Sequence, residues 1–408
     1  MSGQLSTFSG FRWTSPHSST NATTRSRMAA LFKAVDWEAL VKLARDTRNG
    51  VDCELLPDIG VGYNHMVRVL RFKDEFRLLA RTRLPCLADA QDNLDLDAVT
   101  SAVMSEVQTM IAIAQNTHVP VPKIYAFETR ADCKVGAPFI LMDCLEGNVG
   151  TDLSVEIPSE HKQGFFREMA KIQIGLSQIQ SPKIGKIIGV SENGFELGPI
   201  PGIGGPFNTA AEFYKAWAEN VVFDTKNDRL RKTSGVYAEE VQASITTFQA
   251  TVGRLADKIS LRNEGPFPLF HGDFGHHNIV VDDNYHINGL IDFEFSFACP
   301  WEMISIFPLH LMTMPSAIDA PWNYDSDGNA VPVYLADMLE DQKAYLKAVE
   351  LEEMEQNNTS AFSLSEAMRD APRQQFATAI WFFQESKPGF YAKLIEKYSS
   401  AWQVGDEK

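Results

Sequence analysis

The stretch HGDFGHHNIVVDDNYHINGLIDFE, beginning at His271, constrains this 408-residue chain more than any other. NIVV is apolar and β-branched, DDNYH has the composition of a turn, and HINGLID is a second extended run. The segment therefore predicts a β-hairpin. Antiparallel pairing sets the start of the first strand beside the end of the second, with opposed residues roughly 5 Å apart. Asn278 and Asp292 converge on this reading although fourteen positions separate them. An amide oxygen beside a carboxylate is a hard-oxygen pair, suited to Mg²⁺, which keeps water and phosphate oxygens in its remaining positions. Asp273, in the loop leading into the hairpin, could accept a proton from a hydroxyl. One base and two hard ligands are what phosphoryl transfer from ATP requires.

Four of the chain's nine histidines also fall in this stretch, which raises a transition-metal reading. His276 and His277 are adjacent and cannot both face one ion from regular structure. No HxxxH pair lies on a helical pattern either, so a zinc site is disfavoured.

The rest of the chain bounds the class. A 44% hydrophobic, 22% charged composition is that of an ordinary globular protein. No apolar run approaches the ~18 residues that span a bilayer, so no membrane insertion is expected. A net charge of −16 argues against a nucleic-acid partner and is compatible with a cationic small molecule. Five scattered cysteines without a CxxC pair suggest neither a disulfide framework nor a zinc ribbon. A cytoplasmic location is the simpler expectation. Residues 1–27 are rich in Ser and Thr and acid-free, with Arg12, Arg25 and Arg27. They are expected to be a disordered tail, although a mitochondrial presequence has the same composition.

Residues 36–48 predict one short amphipathic helix. Three short extended runs between Cys53 and Pro85 predict an antiparallel meander, and residues 97–115 a helix with apolar positions at helical spacing. VPVPKIYAFE and APFILMDCLEG supply two further strands. Beyond Leu145 helical patterns dominate, at 159–179, 208–224, 237–259, 333–356, 364–384 and 388–402. PWNYDSDGNAV (321–331) holds a fragment of a calcium-loop pattern without its bidentate Glu and reads as a turn.

HGDxxxxN (His271, Gly272, Asp273, Asn278) followed by IDFE (291–294) resembles the catalytic core of the aminoglycoside phosphotransferase and choline kinase-like family. The resemblance covers roughly residues 50–400. It implies an α+β, protein kinase-like bilobal fold: a small antiparallel sheet with one helix as N-lobe, and a larger, mainly helical C-lobe. The expected division is a tail and leading helix at 1–50, the nucleotide-binding N-lobe at 51–143, and the catalytic and substrate-binding C-lobe at 144–408. The implied activity is an ATP- and Mg²⁺-dependent small-molecule kinase acting on a hydroxyl. By the same resemblance Asp273 is the base, Asn278 and Asp292 hold Mg²⁺, and His271 braces the catalytic loop. GVGYN, with Gly60 and Asn64, resembles the nucleotide-binding turn. Arg81 stands where a cation meets the phosphates, and Glu106 is its partner on the helix. Asp143 and Cys144 resemble the adenine-binding hinge.

Two departures stand out. Arg81, with Arg83 two residues on, replaces the Lys of many members, and Phe293 replaces a frequent Trp. ARTRLP fits a fungal-type branch of the family. Arg binds phosphate and stays charged, but its larger fork changes the geometry. That substitution is the one support for an alternative, a catalytically impaired pseudokinase or nucleotide-binding scaffold. The chain has no HRD, and after the hairpin it carries IDFE where a protein kinase has DFG, so protein kinase activity is disfavoured.

Overall fold

A computed structural model describes residues 21–85, 96–154, 156–224, 227–356 and 363–403. Residues 1–20, and Arg12 with them, lie outside the described residues, as does Cys86. The chain divides into two compact units. The first gathers the residues up to Pro158 with Ile188–Glu192 and His277–Phe295; the second gathers Ser159–Ile187, Asn193–His276 and the residues from Ser296 onward. The hairpin thus belongs with the first unit. A strand link explains this, because Val149 and Asn148 pair with Val280 and Val281.

In the first unit β1 (Cys53–Val61), β2 (His65–Phe72), β3 (Arg77–Arg83), β4 (Ile124–Glu128) and β5 (Phe139–Asp143) form one antiparallel sheet. Its order is β1-β2-β3-β5-β4. The meander and the two later strands expected from the sequence are its members. Helix α3 (Leu96–Asn116) turns Val103, Glu106, Val107, Met110 and Ile113 inward.

Two helices precede the sheet. The expected helix is α2 (Trp37–Thr47), where the Asp36 carboxylate accepts the Ala39 N–H at 2.9 Å as an N-cap. Helix α1 (Ala22–Ala34) corrects the reading of residues 22–27 as part of a tail; the expectation for residues 1–20 lies outside the described residues. Asn21 caps it through the Thr24 N–H. Met28 and Leu31 are buried in the same cluster as Leu40, Met66 and Leu70. Only those two side chains of α1 are buried, so the apolar periodicity in sequence is faint.

The second unit is mainly helical, with Ser159–Gln178, Ala210–Asn220, Ala238–Ile259 and Val333–Glu355 close to expectation. Two short strands were not foreseen: Lys186–Ser191, of which Ile188–Ser191 falls in the first unit, and Gly194–Gly198 in the second. The expected helix 364–384 is two helices, Leu364–Arg369 and Ala371–Gln384. Pro372 has no N–H to continue the first ladder, and Asp370 restarts the second by accepting the Arg373 N–H. The 388–402 pattern likewise divides, into Tyr391–Lys397 and Ser399–Gln403. Phe382 and Phe383, near the end of Ala371–Gln384, are core, the latter packed edge-on against Tyr391. In PWNYDSDGNAV, Asp325 accepts the N–H groups of Asp327 and Asn329, which makes the segment a turn closed on itself.

Candidate active site

Strand alternation puts Arg81 and Arg83 on one face of β3, and the structure gives each its own carboxylate from IDFE. Arg81 Nη2 donates to Asp292 Oδ1 at 2.8 Å, and Arg83 Nη1 to Glu294 Oε2 at 2.8 Å. A step of two along the strand is thus matched by a step of two along the loop. Arg81 Nη2 also lies 2.9 Å from His65 Nδ1 and 3.3 Å from Glu106 Oε1. An amino nitrogen has two hydrogens, so Asp292 and His65 take them and Glu106 contributes charge alone. Because arginine only donates, His65 Nδ1 must be the unprotonated ring nitrogen. Its surroundings agree. Burial, then the cations of Arg81, Arg83 and Arg27, hold the His65 pKa well below 6.5.

Glu106 is 2% exposed, and burial pushes its carboxyl up to about 7 against the opposing pull of Arg81. The remaining donors of Arg81 are uncommitted among the described residues. Its Nε is buried without an acceptor there, an orphan that an incoming oxygen would satisfy.

The hairpin places Asn278 and Asp292 as expected. Ile279 pairs with Leu290, and the Ile291 N–H reaches the Asn278 carbonyl at 3.0 Å, so the two side chains leave neighbouring backbone. Asp292 is left-handed, with φ of 67°. That conformation is uncommon for a residue with a Cβ, and Asp tolerates it better than most. Among the described residues no three His, Cys, Asp or Glu side chains converge as a metal cluster. One amide and one carboxylate on adjoining strand ends do fit a hard cation that completes its shell with phosphate and water.

Sequence reasoning gave Glu294 no role. Its side chain is held at both oxygens: Oε2 by Arg83 and Oε1 by the Asn64 amide at 2.7 Å. The available signal was the matched spacing of the 81/83 and 292/294 pairs.

Other expected residues fall as follows. Gly60 lies within β1, paired with Val67, and not in the turn, which is Gly62–Asn64. At the end of β5 the Asp143 carboxylate accepts the Lys123 N–H and the Tyr125 hydroxyl, while its own N–H goes to the Lys123 carbonyl. Cys144 follows, its thiol pushed up to about 12 by burial.

Asp273 belongs to the second unit. Its N–H donates to His271 Nδ1 at 3.3 Å, and the His271 carbonyl accepts the Ser296 hydroxyl at 3.0 Å. His271 is therefore a buried brace for this loop. Glu385, at the end of helix Ala371–Gln384, carries a carboxyl raised by burial and by the charge of Asp273. This neighbour was not foreseen, since 112 residues separate the two.

The sequence model of the phosphotransferase enzyme family matches residues 94–300, just over half of the 408. The chain belongs to that family. Among curated proteins none matches it. Solved structures of similar enzymes include a candidate aminoglycoside phosphotransferase of Ralstonia eutropha JMP134, at 16% identity over 86% of this chain and 98% of that one, TM-score 0.44. A macrolide 2′-phosphotransferase of Brachybacterium faecium follows at 14% identity, 91% and 99% coverage, and TM-score 0.41. A thermostable aminoglycoside phosphotransferase solved with ADP and hygromycin B has 11% identity, 91% and 100% coverage, and TM-score 0.43. Membership of the phosphotransferase family rests on the sequence match. No helix among the described residues is long and apolar enough to cross a membrane.

Proposed function

We propose that this phosphotransferase is an ATP- and Mg²⁺-dependent kinase that phosphorylates a hydroxyl of a small molecule. The observation that carries the reading is the Arg81 cluster: a buried guanidinium between Glu106 and Asp292, with donors still uncommitted, beside the Asn278–Asp292 pair. Arg81 receives phosphate oxygens, and Glu106 holds it in place. Asn278 and Asp292 hold Mg²⁺, which when bound neutralises charge on the phosphates. The turn at Gly62–Asn64, with Gly60 in the strand that leads to it, covers the phosphates, and the hinge at Asp143 and Cys144 takes the adenine. Asp273 accepts the proton of the acceptor hydroxyl as its oxygen bonds to the γ-phosphorus and the bond to ADP breaks.

A second carboxylate, Glu385, near Asp273 supports a cationic acceptor such as an amine-bearing alcohol. The ARTRLP run and Phe293 support placing the chain in a fungal-type branch of the family.

The test pairs transfer with binding. Asp273→Asn should lower transfer from labelled ATP to the acceptor by about 10² to 10⁴-fold, with Mg·ATP affinity kept. The acceptor is to be found by mass spectrometry in a metabolite extract of the source. Full activity in Asp273→Asn would remove Asp273 as the base. Mg·ATP binding without turnover across a broad acceptor panel would favour a scaffold instead.

A further inference from the structure

In the turn Gly62–Asn64 the Gly62 N–H donates to the His65 carbonyl at 2.9 Å, whereas Tyr63 and Asn64 are tied down at their carbonyls and left open at their N–H groups. Arg27, on α1, sends Nη1 to the Tyr63 carbonyl at 2.6 Å and Nε to the Pro85 carbonyl at 2.7 Å. Its guanidinium also lies 5.9 Å from the centre of the Tyr63 ring. The Asn64 carbonyl accepts the Leu84 N–H at 2.8 Å, and the Asn64 amide is the one held by Glu294 at 2.7 Å. By contrast, the N–H groups of Tyr63 and Asn64 bond to nothing among the described residues. Two successive residues whose carbonyls are occupied and whose N–H groups are not are suited to an anion.

We propose that Arg27 is a positioning residue for nucleotide: with Glu294 it clamps the turn so that the Tyr63 and Asn64 N–H groups are preset for phosphate oxygens. This rests on the kinase reading for its ligand, while the clamp itself is a property of the free protein. Arg27 precedes the family-matched residues 94–300 and sits on a helix the sequence pattern had not shown. Its planar fork explains the residue type, since two carbonyls on different segments are reached by two nitrogens of one rigid group. A loop ordered before binding costs less to order on binding, so the gain falls on affinity and not on the chemical step.

The variants are Arg27→Gln and Arg27→Lys, with Lys33→Gln, exposed on the same helix, as control. Calorimetry with Mg·ATP, KM and kcat of background ATP hydrolysis, and hydrogen exchange over residues 60–66 of the free protein are the readouts. Arg27→Gln should weaken Mg·ATP binding and raise its KM by roughly five- to tenfold, the loss of about one charged hydrogen bond, with kcat within about twofold. Arg27→Lys should fall between, Lys33→Gln should match the parent, and exchange over 60–66 should quicken in Arg27→Gln. A lower melting temperature with unchanged KM and unchanged exchange would overturn the clamp. Should the parent itself bind no nucleotide, the kinase reading fails, and the exchange measurement alone then decides for or against the clamp.

Discussion

Glu106 offers the sharpest physical test of the buried cluster. It is almost fully enclosed, and its carboxyl is pushed up from an ordinary 4.5 to about 7 by burial, with Arg81 as the opposing force. The sign follows from proton counts. Between those two values the folded chain holds more protons than the unfolded chain, so stability falls as pH rises through the window. The contribution is fully present below the unfolded value and lost once pH passes the folded one. With 1.36 kcal/mol per unit, the loss between about pH 5 and about pH 8 comes to roughly 2–3 kcal/mol. Glu106→Gln keeps the shape and cannot ionise, so it removes this slope. The variant should therefore gain roughly 2–3 kcal/mol on the parent across that range, whatever its offset at the acid end. Urea unfolding at a series of pH values, read by hydrogen exchange in the α3 peptides, measures the difference directly. Two parallel profiles would refute the reasoning. They would mean that Arg81 keeps Glu106 ionised throughout.

Two further substitutions probe the frame around the site. Gly147 has φ of 107°, and a Cβ there would run into the Val281 carbonyl, so Gly147→Ala should cost roughly 1–3 kcal/mol and loosen the Asn148–Val281 pairing. Faster exchange at Val280 and Val281 would show it; a variant as stable as the parent would count against the close approach. In the second unit, buried Gln173 donates to the Ile304 and Ile306 carbonyls and accepts the Tyr345 hydroxyl at 2.7 Å. Gln173→Leu strands all three groups and should cost roughly 3 kcal/mol in urea unfolding, whereas a loss below about 1 kcal/mol would mean that water replaces the amide.

The sequence showed different parts of this molecule for different reasons. The hairpin was legible because β-branched runs flank a polar turn, and pairing rules then put Asn278 beside Asp292 without any family knowledge. Arg81 and Glu106 could be assigned only through resemblance, since nothing local marks a strand cation and a helix carboxylate 25 positions apart as partners. Helix α1 escaped notice because its two buried side chains fall below what periodicity can reveal. The break at Asp370 was readable, as Pro372 sits where a helix starts and not where one continues. Glu294 was hidden for a plain reason. Its partner Asn64 is 230 residues away, and neither residue type announces a long-range hydrogen bond.

If Arg81 takes the phosphate-binding role proposed above, the arrangement around it accounts for an arginine where the resemblance leads one to expect lysine. Three acceptor groups crowd a single nitrogen, Nη2, at 2.8, 2.9 and 3.3 Å. A lysine ammonium facing that set would have all of its donors drawn to the same side, toward Asp292, His65 and Glu106. The guanidinium divides the work, with Nη2 anchored while Nη1 and Nε bond to nothing among the described residues. Charge counts in the same direction. Glu106, Asp292 and Glu294 set three carboxylates against the two guanidinium groups of Arg81 and Arg83, so the ionised cluster carries a net negative charge before any cation arrives. A divalent cation at Asn278 and Asp292 would reverse that sign and free Arg81 charge for phosphate. On this reading Arg81 and the metal pair act in concert, each making the other's ligand more favourable.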